Sequence, residues 1–144
     1  MVNVRQANLD DVDYIGARMR GEDVEECLAI ANMNGQDALF MSYASSCESW
    51  VAEVNGEIVC IYGVVKPNSL WMLFVCGIDQ LPMSFFRESR IQLTSLLDRY
   101  GVLGNYTAAN NTFILKWLTW LGFSIGPEEV YNGVSIRRFR KEAA

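Results

Sequence analysis

The 144-residue chain contains no histidine, and that absence decides more about its chemistry than any single residue present. Ser-His-Asp and Cys-His nucleophile systems are excluded. So are the His-Glu-x-x-His zinc site and any metal centre built on imidazole. Proton transfer must fall to Asp, Glu, Tyr, Cys, Lys, backbone groups or water. The four cysteines, Cys27, Cys47, Cys60 and Cys76, form no Cys-x-x-Cys pair, which removes zinc-ribbon and thioredoxin-type readings. Reduced, mostly buried thiols are expected. Cys76 can in principle accept an acyl group, with an inert buried thiol as the ordinary alternative. The most informative stretch is residues 111–123. Asn111 stands at a helix N-cap, Ile114, Trp117, Leu118 and Leu121 recur at helical spacing, and Gly122 is placed at C′.

The elements that must position such a stretch belong to a folded chain. Apolar residues make up 51 % and charged residues 20 %, a globular balance that fits one domain spanning residues 1–144. The longest apolar run, 70–78, suits a buried strand and is too short to cross a bilayer. The start Met1-Val2-Asn3-Val4-Arg5 shows no secretory signal, so a cytoplasmic setting is expected. A net charge of −5 argues against nucleic acid as the main partner. The basic cluster Arg137, Arg138, Arg140 and Lys141 reads as a solvated last strand.

Periodicity and turn chemistry give an element order. Residues 2–6 read as a strand, and Asn8 caps a helix through Met19 with Asp10 and Asp11 in its first turn. Gly21 breaks that helix, and two more follow over 22–31 and 36–44. Strands over 49–54 and 57–65 are joined by Asn55-Gly56, a type I′ hairpin signal. Lys66-Pro67-Asn68-Ser69 turns into a third strand, 70–76, completing an antiparallel meander. Ser84 caps a helix over 84–100 that ends at Gly101, with Phe86, Leu93, Leu97 and Tyr100 facing the sheet. A strand over 103–108, the helix 112–121, and strands from 123 and over 134–139 complete the chain. The fold class is α/β (α+β): a mixed, mostly antiparallel sheet flanked by helices on both faces.

This order, the opening Val4-Arg5-Gln6-Ala7-Asn8-Leu9-Asp10-Asp11, the meander, and Asn111-Thr112…Leu118…Leu121-Gly122-Phe123 together resemble the GCN5-related N-acetyltransferase (GNAT) superfamily. The resemblance implies that strands 70–76 and 103–108 splay apart, and that the backbone of the wedge pairs with the pantetheine arm of acetyl-CoA or coenzyme A. It places Phe74, Val75, Cys76, Ser84, Arg87 and Asn111 on the cofactor, with backbone N–H groups near Val75 polarising the thioester carbonyl. The pyrophosphate falls at the N-terminus of helix 84–100. Glu53 and Asp79 become the carboxylates near strand ends facing the wedge, and Tyr106 a substitute acid. Each of these has an ordinary structural reading beside it: Asn111 as a cap alone, Arg87 and Arg90 as a solvated or ion-paired face, Trp117 and Trp120 as packing.

Two departures stand out. Relatives carry an Arg/Gln-x-x-Gly-x-Gly/Ala loop, whereas Gln80-Leu81-Pro82-Met83-Ser84-Phe85-Phe86-Arg87 has no glycine. The family's tyrosine acid falls on Leu118. Residues 70–139, with Asp79-Gln80, Phe86-Arg87-Glu88-Ser89-Arg90, Tyr100, Asn105-Tyr106 and Asn111-Thr112, are similar to the internal virion proteins of T7-like phages, a drifted GNAT-like branch. Two functions follow: an acyl-CoA-dependent N-acetyltransferase acting on an unknown small-molecule or protein amine, or a non-catalytic GNAT-fold protein that binds phage structural or host proteins. A third is a CoA-binding sensor. The resemblance to phage proteins puts the chain in the host cytoplasm or the virion, and an exposed last strand allows a homodimer.

Overall fold

In the computed structural model, which describes residues 1–75 and 80–144, the described residues form thirteen elements. They are β1 (Val2–Gln6), α1 (Leu9–Ala17), α2 (Gly21–Glu26), a π-helical turn (Cys27–Ala31), α3 (Gly35–Ser45), β2 (Glu48–Val54), β3 (Glu57–Val65), β4 (Ser69–Phe74), α4 (Met83–Tyr100), β5 (Val102–Ala108), α5 (Thr112–Trp120), β6 (Ser124–Tyr131) and β7 (Val134–Glu142). The seven strands form one open sheet in the order β1-β2-β3-β4-β5-β7-β6. Every neighbouring pair is antiparallel except β4 and β5.

Alternation along the strands builds a core on each face. Val51, Ile61 and Leu73 are paired across β2, β3 and β4, and pack under Val12 and Ile15 of α1 and Leu39 of α3. The next rung, Ala52, Cys60 and Phe74, points to the opposite face, beneath Phe85, Leu93 and Leu96 of α4 and Leu118 of α5. Both faces are therefore covered, as the sequence pattern implied. Among the described residues no helix is long and apolar enough to cross a membrane.

Local chemistry explains the element ends. Asn8 Oδ1 accepts the Asp11 amide at 3.1 Å while the Asp11 carboxylate accepts the Asn8 amide at 2.9 Å, a reciprocal capping box. Asn55-Gly56 and Asn132-Gly133 turn two hairpins with positive φ at all four residues. After α5, the Gly122 amide reaches Thr119 O and the Phe123 amide reaches Leu118 O, both at 3.0 Å. That is a Schellman motif, with Gly122 at φ +98° in the left-handed region.

Four expectations change. The helix over 22–31 is α2 followed by the π turn, because the Asn32 amide reaches back five residues to Cys27 O and Asn32 closes the segment at φ 54°. Helix α4 begins a residue earlier than expected. Pro82 is its N-cap, with its carbonyl taking the Phe85 amide at 3.0 Å, so Ser84 is an exposed first-turn residue and caps nothing. Strand β4 ends at Phe74, and β7 extends to Glu142. Cys60 is buried and Cys27 half-buried, but Cys47 is exposed beside the Tyr100 hydroxyl at 3.0 Å. Cys76 and Asp79 lie outside the described residues.

One ion-paired cluster ties the end of α4 to β2. Glu48 accepts from Arg99 at 2.6 Å, from Trp50 Nε1 at 2.8 Å and from the Tyr100 hydroxyl. Burial alone raises this carboxyl, but the bonds from Arg99, Tyr100 and Trp50 outweigh it and bring the pKa from 4.5 to about 2. A folded pKa below the unfolded one contributes stability that is complete above the unfolded value and is lost as pH falls through the folded one. Between pH 4.5 and 2, wild type therefore loses stability more steeply than Glu48→Gln, in urea melts at a series of pH values. Parallel curves in that window would contradict the assignment.

Candidate functional site

The sheet's one parallel contact defines the site. β4 and β5 are in register only at Ser69 and Gly104, where the Gly104 amide donates to Asn68 O at 2.9 Å and Asn105 Nδ2 donates to Leu70 O at 3.0 Å. On the other side of β5, Gly104 lets β7 pack close, since a Cβ there would lie 2.7 Å from Phe139 O. Beyond it the strands separate, leaving a wedge with Phe74 on one lip and Ala108 on the other. Edges of this kind expose N–H and C=O groups that need partners.

Those partners come from α2. The Phe74 amide donates to Asp23 Oδ2 at 2.8 Å, and Phe74 O accepts the Arg20 backbone amide at 2.6 Å. On the other lip, Glu26 Oε1 accepts from the Ala108 amide at 2.8 Å and the Thr107 hydroxyl at 2.6 Å. Asn111 joins the two halves: its Oδ1 accepts Arg20 Nη2 at 3.1 Å and its Nδ2 donates to Glu26 Oε1 at 3.4 Å. Arg20 Nη2 also donates to Asp23 Oδ1 at 2.9 Å, closing an ion pair with both side chains 4 % exposed. Desolvation by burial pushes the Asp23 carboxyl up, against the pull of Arg20 and of the Phe74 amide.

On the far side of the wedge, aromatic rings fill the space between α4 and α5. Trp117 packs against Phe74, Phe85 and Phe86 with centroids 5.5 to 6.4 Å apart. Trp120 packs on Phe86 and lies under the Arg90 guanidinium at 3.6 Å. On the α2 side, a cavity of about 190 Å³ borders the wedge, with Asp23, Glu26, Trp71, Asn105 and Tyr106 in its lining.

The sequence-derived candidates divide accordingly. Phe74 and Asn111 meet at the wedge, and Tyr106 lines the cavity, its ring 5.2 Å from Tyr131. Burial and the Tyr131 hydroxyl both raise the Tyr106 pKa. Val75 donates its amide to Val59 O of β3 at 2.8 Å, so that N–H is turned away from the wedge, contrary to expectation. Glu53 is not at the wedge either. It sits on β2, two strands from β4, bonded to Asn3 at 3.0 Å and Arg5 at 3.3 Å. Ser84 and Arg87 are exposed on the first two turns of α4. Arg90 is exposed, in keeping with a solvated face, and stacks on Trp120. Asn111 occupies the N-cap position but makes no side-chain cap bond. Sequence reasoning missed Arg20, Asp23 and Glu26; acids in a short helix carry no local signal of a partner some fifty to ninety positions away. Among the described residues no group of His, Cys, Asp and Glu is arranged to hold a metal.

The fold has parallels among solved structures. A GNAT-family acetyltransferase from Streptococcus pneumoniae superposes with a TM-score of 0.61 at 14 % identity, over 100 % of both chains. The ribosomal-protein-S18-alanine N-acetyltransferase from Escherichia coli gives 0.69 at 14 % identity, over 100 % of this chain and 95 % of that one. The fold is that of the GNAT acetyltransferases. Spermidine N-acetyltransferase from Vibrio cholerae, solved with CoA and spermine, gives 0.64 at 12 % identity, over 98 % of this chain and 95 % of that one. No family model and no curated protein matches the sequence. Coenzyme A is thus a ligand among proteins of this fold, and the wedge is where its amide-rich arm would need free backbone groups. Here Phe74 N–H and C=O and Ala108 N–H are already bonded, and the α4–α5 side is filled with rings. At these described positions the residues present leave no free backbone group for the arm.

Asn111 offers a direct check on the network. A cap residue is replaceable by Asp or Ser at little cost, whereas a bridge that accepts from Arg20 and donates to Glu26 is not. Asn111→Asp, Asn111→Ser and Asn111→Ala should all lose about 1–3 kcal/mol in denaturant melts, the cost of unpaired buried polar groups. Wild-type stability in Asn111→Asp or Asn111→Ser would restore the simple cap.

Proposed function

We propose that this chain is a GNAT-fold protein that acts by binding other proteins and does not carry out acyl transfer. One observation supports the reading above all: at the described ends of the wedge, Phe74 N–H, Phe74 C=O and Ala108 N–H are satisfied from within, by Arg20, Asp23 and Glu26. The glycine-free segment 80–87 and Leu118 at the tyrosine position agree with it. Glycines let backbone wrap a pyrophosphate, and leucine cannot give up a proton. The similarity of residues 70–139 to T7-like internal virion proteins supports a phage particle as the setting, with other particle or host proteins as partners.

A second reading, N-acetyl transfer from acetyl-CoA to an amine, is favoured by the divergence of β4 and β5 and by the fold's likeness to acetyltransferases. Thermal melts with and without millimolar acetyl-CoA separate the two. The binding-protein reading expects an unchanged Tm and a flat calorimetric titration. A ligand present at about one hundred times its Kd adds roughly 2.7 kcal/mol; a shift of that size, followed by thiol release with a panel of amines, would establish the enzyme instead.

A further inference from the structure

Under α4 the core is not fully packed. Between that helix and the sheet lies a cavity of about 60 Å³, with Ala52, Cys60, Leu93, Leu96, Leu121 and Phe123 in its wall. All six are buried. Folded interiors hold few voids larger than a water molecule, and at ~30 Å³ per water this one has room for about two. Apart from the Cys60 thiol this part of the wall is apolar. A water inside would lack the two to four polar partners it needs, roughly speaking, to be held. Atoms lining such a void forgo dispersion contacts on that side, and an apolar occupant restores them. One side of the cavity is different. Tyr62 of β3 and Glu88 and Gln92 of α4 line it and are half-buried, as are Val2 and Val4 of the edge strand β1. The Tyr62 hydroxyl donates to Gln92 Oε1 at 3.4 Å, and Gln92 Nε2 donates to Glu88 Oε2 at 3.1 Å. The first bond is well beyond the roughly 2.5–3.0 Å usual for O–H···O, so it is readily exchanged for a better one. Burial pushes the Tyr62 hydroxyl up from its ordinary value, which keeps it a donor. A donor and a carboxylate acceptor thus stand at the mouth of an apolar chamber.

We propose that this chamber is a binding site for a short aliphatic alcohol, with the alkyl chain in the apolar interior and the hydroxyl between Tyr62 and Glu88. A hydroxyl can accept from the one and donate to the other, whereas an ammonium cannot accept and a carboxylate cannot donate. An apolar pocket with a few convergent polar groups is the usual build of a small-molecule site. This one is far smaller than the ~300–1,000 Å³ of drug-sized sites, so its ligand is correspondingly short, with roughly two or three carbons inside. The chamber includes neither Asp23, Glu26 nor Asn111, so the site stands whether or not the wedge is closed.

Xenon and 1-butanol probe the chamber and its mouth separately, read by methyl NMR. In the wild-type protein xenon should shift the Leu93 and Leu96 methyl resonances and leave those of Leu39, in the core on the opposite face, unmoved. 1-Butanol should shift the same methyls saturably, while butyrate and butylammonium bind about tenfold more weakly or less. Tyr62→Phe should weaken butanol by about tenfold and leave xenon unchanged, since xenon has no hydroxyl. Ala52→Val, which adds methyl groups inside the chamber, should weaken both. An absence of xenon-induced shifts in wild type would overturn the cavity as a site, with no variant required. Butyrate binding as tightly as butanol, or Tyr62→Phe binding butanol as wild type does, would overturn the alcohol as ligand. Undiminished binding by a folded Ala52→Val would place the ligand elsewhere and overturn the proposal.

Discussion

Two half-sheets are joined in this molecule at one place, and the consequences run through everything else. β1 to β4 form one antiparallel run and β5 to β7 another, and the two meet in parallel at Ser69 and Gly104. Parallel neighbours cannot be joined by a tight turn, so α4 carries the chain across. At the same point Gly104 admits β7 on the other side of β5, where a side chain would meet the Phe139 carbonyl. Having met there, the strands part with their natural twist. The divergence leaves a set of backbone groups within the protein that no strand can pair, and a folded chain does not leave such groups unpaired.

Satisfying them from α2 has a different character from satisfying them with a ligand or a strand. Carboxylates accept strongly, so Asp23 and Glu26 meet the two lip amides with charge-assisted bonds. But two acids brought toward low-dielectric surroundings require a cation and a donor between them, which Arg20 and Asn111 supply. The lip carbonyl of Phe74 needs a donor, and the Arg20 backbone amide is that donor. Asp23 and Glu26 are held one turn apart on the six-residue α2, Arg20 stands at its N-cap, and Asn111 reaches in from the start of α5. Glu26 takes three donors on a single oxygen, Oε1.

Local chemistry was readable from the residues themselves. Asn8 with Asp11, Asn55-Gly56 and Gly122 each announce a backbone conformation within a few positions, and each is where expected. Alternation in 49–54 and 57–65 and the apolar run from Leu70 set the meander and its two faces. The element order followed, and with it the GNAT fold. What failed depended on distant partners or on competition between neighbours. Ser84 looked like a cap, but the proline two residues before it already had the fixed φ that an N-cap tolerates, and the helix started there. Glu53 looked like a strand-end acid, but its partner is Arg5 on the neighbouring strand. Asn111 looked like a cap and is one in position, yet its side chain is spent on Arg20, ninety-one residues earlier in the chain. No period or turn rule encodes that distance.

The two fillings of the wedge differ in kind. Toward α4 and α5 it is closed by rings, and Trp117 Nε1 is buried there without a partner. Toward α2 it is closed by charges, and Arg20 Nε is likewise buried and unpartnered. An unmade bond of this sort costs about 1–3 kcal/mol, so neither filling is optimal. Apolar side chains of matching volume would close the α2 side at least as stably as an ion pair does. Rings on one side fix α4 to α5 permanently, because separating them exposes apolar surface to water. Charges on the other side can return to water as a group, with solvation recovering much of what the lost bonds supplied. The polar filling therefore holds only as a set, since removing any one of Arg20, Asp23 or Glu26 leaves a buried charge or a lip amide without its partner.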